Sequence, residues 1–559
     1  LGAGFGYHPR PGRGGIAGGP NEEATMLDRT VHSAIGTRQQ GERARDGRAW
    51  GGRWARGLAL GLVVLAGSAS AWADEFIDKA NALYKTIQAD RRSDTVLLPL
   101  LVKTAPAPES VRRPMSAALL PADRPAFKDA LAWARAEPQK AVLDALKKVT
   151  SESDWKKVFG FAQPYGFEGV DPDLVIAQAY TDLGDPPSLS SARVGYMPLL
   201  DRLASLAQVE ATALLSEGKG KDALDLMERW VFFARQMCER QLLSEKVWAY
   251  KAMAMGLSRM RDLAFVDSRS ETPSINADHL REMINKLKDK GGVIGTDRLE
   301  LPMADRLGVE QALARLFTKG GGPNVEAFSA AMGRARSVER PLRLFSESAK
   351  WDVLSKMHAD EPATRAQLEA LFRDWSRRWS LSPFDRSLRI PSEYARMDKV
   401  KFAALDALLG DIGQLFDLRT LVQAEVVGTR MGLAVAGFKA ANKVFPPGLS
   451  SARPALVSSI DPDPFEKSGK PPEMFIPGKR PSDKSNTQEI LVFPGDGQPN
   501  FSATVSDDTF VLYLVGPDGN PAAVRRATQM TEDERGDYLV WPPVLSLLRK
   551  HLIETSAIP

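Results

Sequence analysis

The sequence predicts a mainly α protein: a multi-helix bundle followed by a small α+β domain at the C-terminal end. Three observations carry this. Apolar residues recur at spacings of three and four through most of residues 74–410. No convincing alternation of apolar and polar residues precedes residue 480. Near the end, Asp508-Thr-Phe-Val-Leu-Tyr-Leu-Val-Gly516 is β-branched and aromatic, stops at a Gly516-Pro-Asp-Gly519 turn, and is answered by Gly536-Asp-Tyr-Leu-Val-Trp541-Pro-Pro543. A chain of 559 residues exceeds one ordinary core. It divides into a leader (1–73), an N-terminal helical region (74–190), a central bundle (191–410) and the α+β domain (411–559).

The leader sets the expected compartment. Arg43, Arg45, Arg48, Arg53 and Arg56 precede the uncharged run Gly57–Gly67, and Ala71-Trp-Ala73 follows as a small-residue cleavage site. That order is a secretory signal. The apolar run is well short of the roughly 20 residues that span a bilayer, which favours cleavage over retention as an anchor. The mature chain is therefore expected in the periplasm or outside the cell, without a transmembrane segment. Residues 1–73 hold 9 of the 74 Lys+Arg and 5 of the 70 Asp+Glu, so the remainder balances at 65 of each. A neutral mature chain has no global electrostatic reason to bind nucleic acid. Cys238 is the single cysteine, so export brings no internal disulfide, and its helical spacing reads as a small core side chain.

Helices are expected at 76–88, 95–101, 125–136 and 141–149, then a Gly/Pro/Asp-rich loop over 164–191 with one helical turn near Leu174–Tyr180. The clearest pattern follows. Leu200, Leu203, Ala207, Ala211 and Leu214 share one face; Leu224, Met227, Val231, Ala234 and Cys238 share another; a third run extends from Leu243 to about Phe265. Short polar turns join them, as in antiparallel helix neighbours. The segment Leu214-Leu-Ser-Glu-Gly-Lys-Gly-Lys-Asp-Ala-Leu224 resembles the turn of a tetratricopeptide-type hairpin. The family's repeat of about 34 residues is missing on either side, so a plain antiparallel pair reads equally well. Thr364-Arg-Ala-Gln367 has capping-box spacing ahead of Leu368, Leu371, Phe372, Trp375 and Trp379. A last long helical pattern runs from about Tyr394, weakening at Gly410 and Gly413, to Val444.

Assembled catalytic motifs are missing from the sequence. His279, His358 and His551 stand far apart and outside zinc-ligand spacing, and neither a Gly-x-Ser-x-Gly elbow nor a phosphate-binding glycine loop occurs. No catalytic, cofactor-binding or metal residue is therefore nominated from motifs. The acid groups Asp461/Asp463, Asp507/Asp508 and Glu532-Asp533-Glu534 offer carboxylates of the kind glycoside hydrolysis uses, but such signals are unspecific and a solvated turn explains each.

In the C-terminal region an apolar helix over 415–441 ends at Phe445-Pro446. Asp463-Pro464-Phe465 follows, then strand candidates at Glu489–Phe493 and Thr509–Val515 with turns at Gly495-Asp-Gly497 and Pro517-Asp-Gly519. With Gly516–Gly519 and Asp537-Tyr-Leu-Val-Trp541, this order resembles the globular part of the major, G-type pseudopilins of type II secretion. The resemblance implies calcium held partly by Asp518 and Asp537, oxygen ligands of the kind calcium requires. This chain departs from the family in two ways. Asn520–Arg535 is longer, lacks the family's Gly-Gly-Glu-Gly and carries Arg525 and Arg526. Residues 74–410 also separate the domain from the leader, which argues against a filament subunit.

The function expected is an exported, non-enzymatic helical scaffold or protein-interaction protein of the cell envelope, with a protein partner and no cofactor. The alternatives are an exported hydrolase with converging carboxylates and an accessory of a secretion apparatus.

Overall fold

A computed structural model describes residues 75–337, 344–410, 412–481, 483–495, 498–528 and 536–558. The leader, Asp496-Gly497 of one expected turn, and Glu532-Asp533-Glu534 lie outside them. The described residues form one compact unit.

The helices of the N-terminal region are α1 (Glu75–Lys85), α2 (Ser93–Leu101), α3 (Pro114–Leu119), α4 (Pro125–Ala134), α5 (Glu137–Val149) and α6 (Pro172–Ile176). The central body adds α7 (Met197–Ser216), α8 (Gly220–Met237), α9 (Leu243–Asp267), α10 (Ala277–Lys286), α11 (Ala304–Leu316), α12 (Val325–Ser337), α13 (Leu344–Met357) and α14 (Glu361–Ser380). Then come α15 (Glu393–Arg396), α16 (Ala403–Leu408), α17 (Gly413–Asn442) and α18 (Val544–Glu554). The chain is mainly helical with a small C-terminal sheet, as its patterning predicts.

Three expectations are corrected. The long pattern from Tyr394 is three helices: Asp398 accepts the amides of Val400 and Lys401 and breaks the run before α16. The cap of α14 is Asp360, whose carboxylate accepts the Ala363 amide, while Thr364 lies inside the helix and donates back to the Asp360 carbonyl. The region before residue 480 is not free of strands. A two-residue ladder pairs β1 (Thr181–Asp182) with β2 (Arg193–Val194), and β3 (Glu473–Phe475) joins the C-terminal sheet.

That sheet adds β4 (Thr487–Phe493), β5 (Phe501–Ser506), β6 (Val511–Leu514), β7 (Arg526–Thr528) and β8 (Asp537–Trp541) in the order β3-β6-β8-β7-β4-β5. β7 runs parallel to both β4 and β8, and the other pairs are antiparallel. The central strands β6 and β8 are buried throughout, which is why, Asp537 apart, their sequences are apolar rather than alternating. Leu512, Leu514, Tyr538 and Val540 share a core with the helical body. Val511, Tyr513 and Leu539 belong to a second core with Val544, Leu545 and Leu548 of α18. The sheet is thus a layer between α17 and α18.

Helix α17 serves both parts of the molecule. It packs on α9 and α10 and also on β6 and β8. Gly428 makes this approach close: a Cβ there would lie 2.8 Å from Val540 Cγ2. At the end of β6, Gly516 turns the chain with φ +83°, a conformation that favours glycine.

Candidate functional site

Helix α9 is the axis of the site. It packs against α8 on one side and α17 on another, and it carries Arg259, Arg261 and Asp262, each 2% exposed or less. Charged groups so deep are expensive unless paired and hydrogen-bonded. Two networks pair them. Arg261 forks onto Glu425 of α17, which also accepts the Tyr538 hydroxyl from β8, and Arg261 Nη1 donates to Thr429 Oγ1 at 2.7 Å. Burial and the adjacent Glu425 hold the Tyr538 hydroxyl well above its ordinary pKa, so it stays a donor.

The second network joins α9 to α18. Asp262 accepts from Arg259, from Ser546, and from Arg549 at 2.6 and 3.0 Å; Arg549 also donates to the Ala118 carbonyl at 2.8 Å. Burial alone would raise the Asp262 carboxyl, but Arg549 and Arg259 outweigh it and bring the group down to about 2. Burial lowers Arg259 to about 10. One helix is therefore tied through buried charge both to the sheet and to α18.

Between these ties lies a cleft of about 420 Å³, bounded by the start of α3, by α7, α8, α9, α17 and by the sheet with α18. Its walls are apolar: Met115, Trp230, Trp248, Met255, Leu418, Leu421 and Leu545. Trp230 and Trp248 meet edge to face, 6.1 Å between centroids, and donate to the Ala252 carbonyl and the Asp201 carboxylate. Glu425 and Tyr538 lie at the cleft with their polar atoms already bonded to each other and to Arg261. Ser258, 5% exposed, lines the same cleft with Oγ buried and no hydrogen-bond partner. Arg113 and Lys251 contribute exposed cations. A concave, mainly apolar site with a few convergent polar groups is what small-ligand binding requires.

The residues singled out by the sequence go elsewhere. Asp461 pairs with Arg430. Asp463 is 3% exposed and accepts the amides of Phe465 and Val515, each at 2.7 Å, so the Asp-Pro-Phe element fastens a loop to β6. Asp508 pairs with Arg269 and accepts from Ser506. Those three of the chain's five histidines are separate: His279 faces Asp225, His358 bonds the Ala359 carbonyl and the Ala404 amide, and His551 stacks on Phe501. Cys238 is buried and donates to the Ala234 carbonyl, and burial pushes its thiol up to about 12.

The two carboxylates nominated for calcium are engaged with backbone. Asp537 is fully buried and accepts the amides of Ala522 and Val524; Asp518 accepts that of Asn520. Burial raises Asp537 to about 6, against the pull of those amides. Among the described residues no group of three or more His, Cys, Asp or Glu side chains is placed to hold a metal. A second cavity, about 490 Å³, brings Glu152, Glu239 and Glu300 together beside Trp155. There Glu239 is bound by Arg235, and Glu152 accepts the Asp154 amide.

Sequence reasoning missed the cleft because its walls come from residues 113 to 545. The signal it left was Glu425 among apolar neighbours on α17 and the Arg259–Asp262 cluster inside an otherwise buried α9. Among the described residues no helix is long and apolar enough to cross a membrane. No family model, no curated protein and no solved structure matches the chain.

Proposed function

We propose that the protein is an exported, non-enzymatic helical scaffold of the cell envelope that works by binding, with the cleft between helices and sheet as its binding site. One observation carries this: the cleft is walled by apolar and aromatic side chains, and the carboxylates on it, Glu425 and Asp201, are both hydrogen-bonded by neighbours. A hydrolase using paired acids needs one carboxyl free to hold a proton and another free to attack or activate water. The leader pattern at 43–73 supports export, and the long α17 followed by a small sheet supports the pseudopilin-like reading of 411–559.

The test is native mass spectrometry of protein isolated from envelope fractions, wild type beside Ala252→Phe. Ala252 is half-buried on the cleft wall, so phenylalanine fills the site without entering the core. The reading expects a bound species on the wild type that the variant loses. Turnover of glycoside, ester or peptide substrates by the purified protein, abolished by a carboxylate substitution, would overturn it.

A further inference from the structure

We infer that the occupant of the cleft is an anionic, single-chain amphiphile: one acyl chain lying along the apolar walls with its charged head at Arg113 and Lys251. This rests on the reading of the cleft as a binding site.

Size argues for one chain. A stable protein–protein interface buries roughly 800 Å² on each partner, whereas this site is an open concavity of about 420 Å³ bounded by helices and sheet, in the range of a single small ligand. A methylene displaces about the volume of a water molecule, so at protein packing density the cleft holds roughly a dozen carbons.

Charge argues for an anionic head. Arg113 and Lys251 are exposed on the lining, and neither side chain forms an ion pair or a hydrogen bond among the described residues. The lining keeps an excess of positive charge, two cations against one carboxylate, Asp201, that lacks a cationic partner among the described residues. Glu425 is held by Arg261 and Tyr538, and Asp201 accepts the Trp248 indole N–H. A cationic head would meet two cations that lack partners among the described residues, whereas an anionic head would gain both as counter-charges. A fatty acid and a lysophospholipid share the required chemistry.

The experiment is titration calorimetry on the mature chain with twelve-carbon probes below their micelle concentrations: laurate, lauroyl lysophosphatidylglycerol, dodecanol and dodecyltrimethylammonium. The inference expects an anionic probe to bind one-to-one and at least ten-fold more tightly than the cationic one. It expects the double variant Arg113→Glu/Lys251→Glu to lose at least ten-fold for the anionic probe while dodecanol is unchanged. Whichever of laurate and the lysophospholipid binds more tightly identifies the head. Equal affinity for anionic and cationic probes, or no loss in the double variant, overturns the inference while leaving the cleft as an apolar site. Binding of an apolar peptide with none of the four probes does the same in favour of a protein segment. If neither dodecanol nor any other apolar probe enters, the binding-site reading falls too.

Discussion

Replacing Asp262 by Asn tests the buried charge that joins α9 to α18. In the wild type this fully buried carboxylate faces Arg259 and Arg549 and also accepts from Ser546. Asn keeps the size and one acceptor but leaves two guanidinium groups without a counter-charge, Arg259 being 2% exposed. Breaking a buried pair in this way costs about 3–5 kcal/mol. The same carboxylate gives a second, independent estimate through pH. Its folded pKa is depressed from 3.8 to about 2. Its stabilisation is therefore fully present above pH 3.8 and is lost as pH falls through about 2. A gap of nearly two units is worth about 2 kcal/mol. Urea unfolding followed by tryptophan emission reads both quantities. The expected result is a lower midpoint for Asp262→Asn at pH 7 with unchanged slope. Between pH 4 and pH 2 the wild type should lose about 2 kcal/mol relative to the variant. Equal midpoints at pH 7, or parallel pH curves, would refute the assignment of this network to stability.

Asp305 shifts the other way. Burial raises its carboxyl to about 7, against the Leu243 amide that donates to it at 2.6 Å. The folded state then holds the proton more tightly than the unfolded chain, and stability falls as pH rises from about 4 to about 7. Asp305→Asn keeps an acceptor for Leu243 and should be more stable than wild type at pH 8, with the advantage shrinking at pH 4; thermal melts at the two pH values check it. Cys238 should resist iodoacetamide in the folded protein at neutral pH and react only in denaturant, as mass spectrometry of the labelled chain will show. Calcium and chelator should give the same melting temperature, since Asp518 and Asp537 are committed to backbone amides. A rise with calcium that is lost in Asp518→Ala would show the family's site to be present.

Helix positions were largely legible because periodicity survives wherever one face is buried: α7, α8 and α9 begin and end within a few residues of their apolar patterns. The β6 strand was legible as well, for its β-branched and aromatic run has no other stable reading. The losses have specific causes. Helix α18 was hidden because Pro542-Pro543 reads as an ending, whereas Pro543 caps a new helix. The strands β5 and β7 are partly polar, and the parallel pairing of β7 with β4 joins segments distant in sequence. Thr364 matched a capping box, but Asp360 four residues earlier captured the helix start. The cleft was the least legible feature. Trp230 looked like ordinary core, and at 1% exposure it is nearly that. Only the approach of Tyr538 and Leu545 from the sheet side turns its surroundings into a site.

The most direct test of binding at the cleft uses a neutral brominated dodecanol, whose bromine quenches tryptophan emission on contact. Two of the chain's 11 tryptophans, Trp230 and Trp248, line the cleft. The account expects saturable quenching at one equivalent, confined to the share of emission from these two and missing in Ala252→Phe. Quenching that rises without saturation, or persists unchanged in the variant, would contradict it.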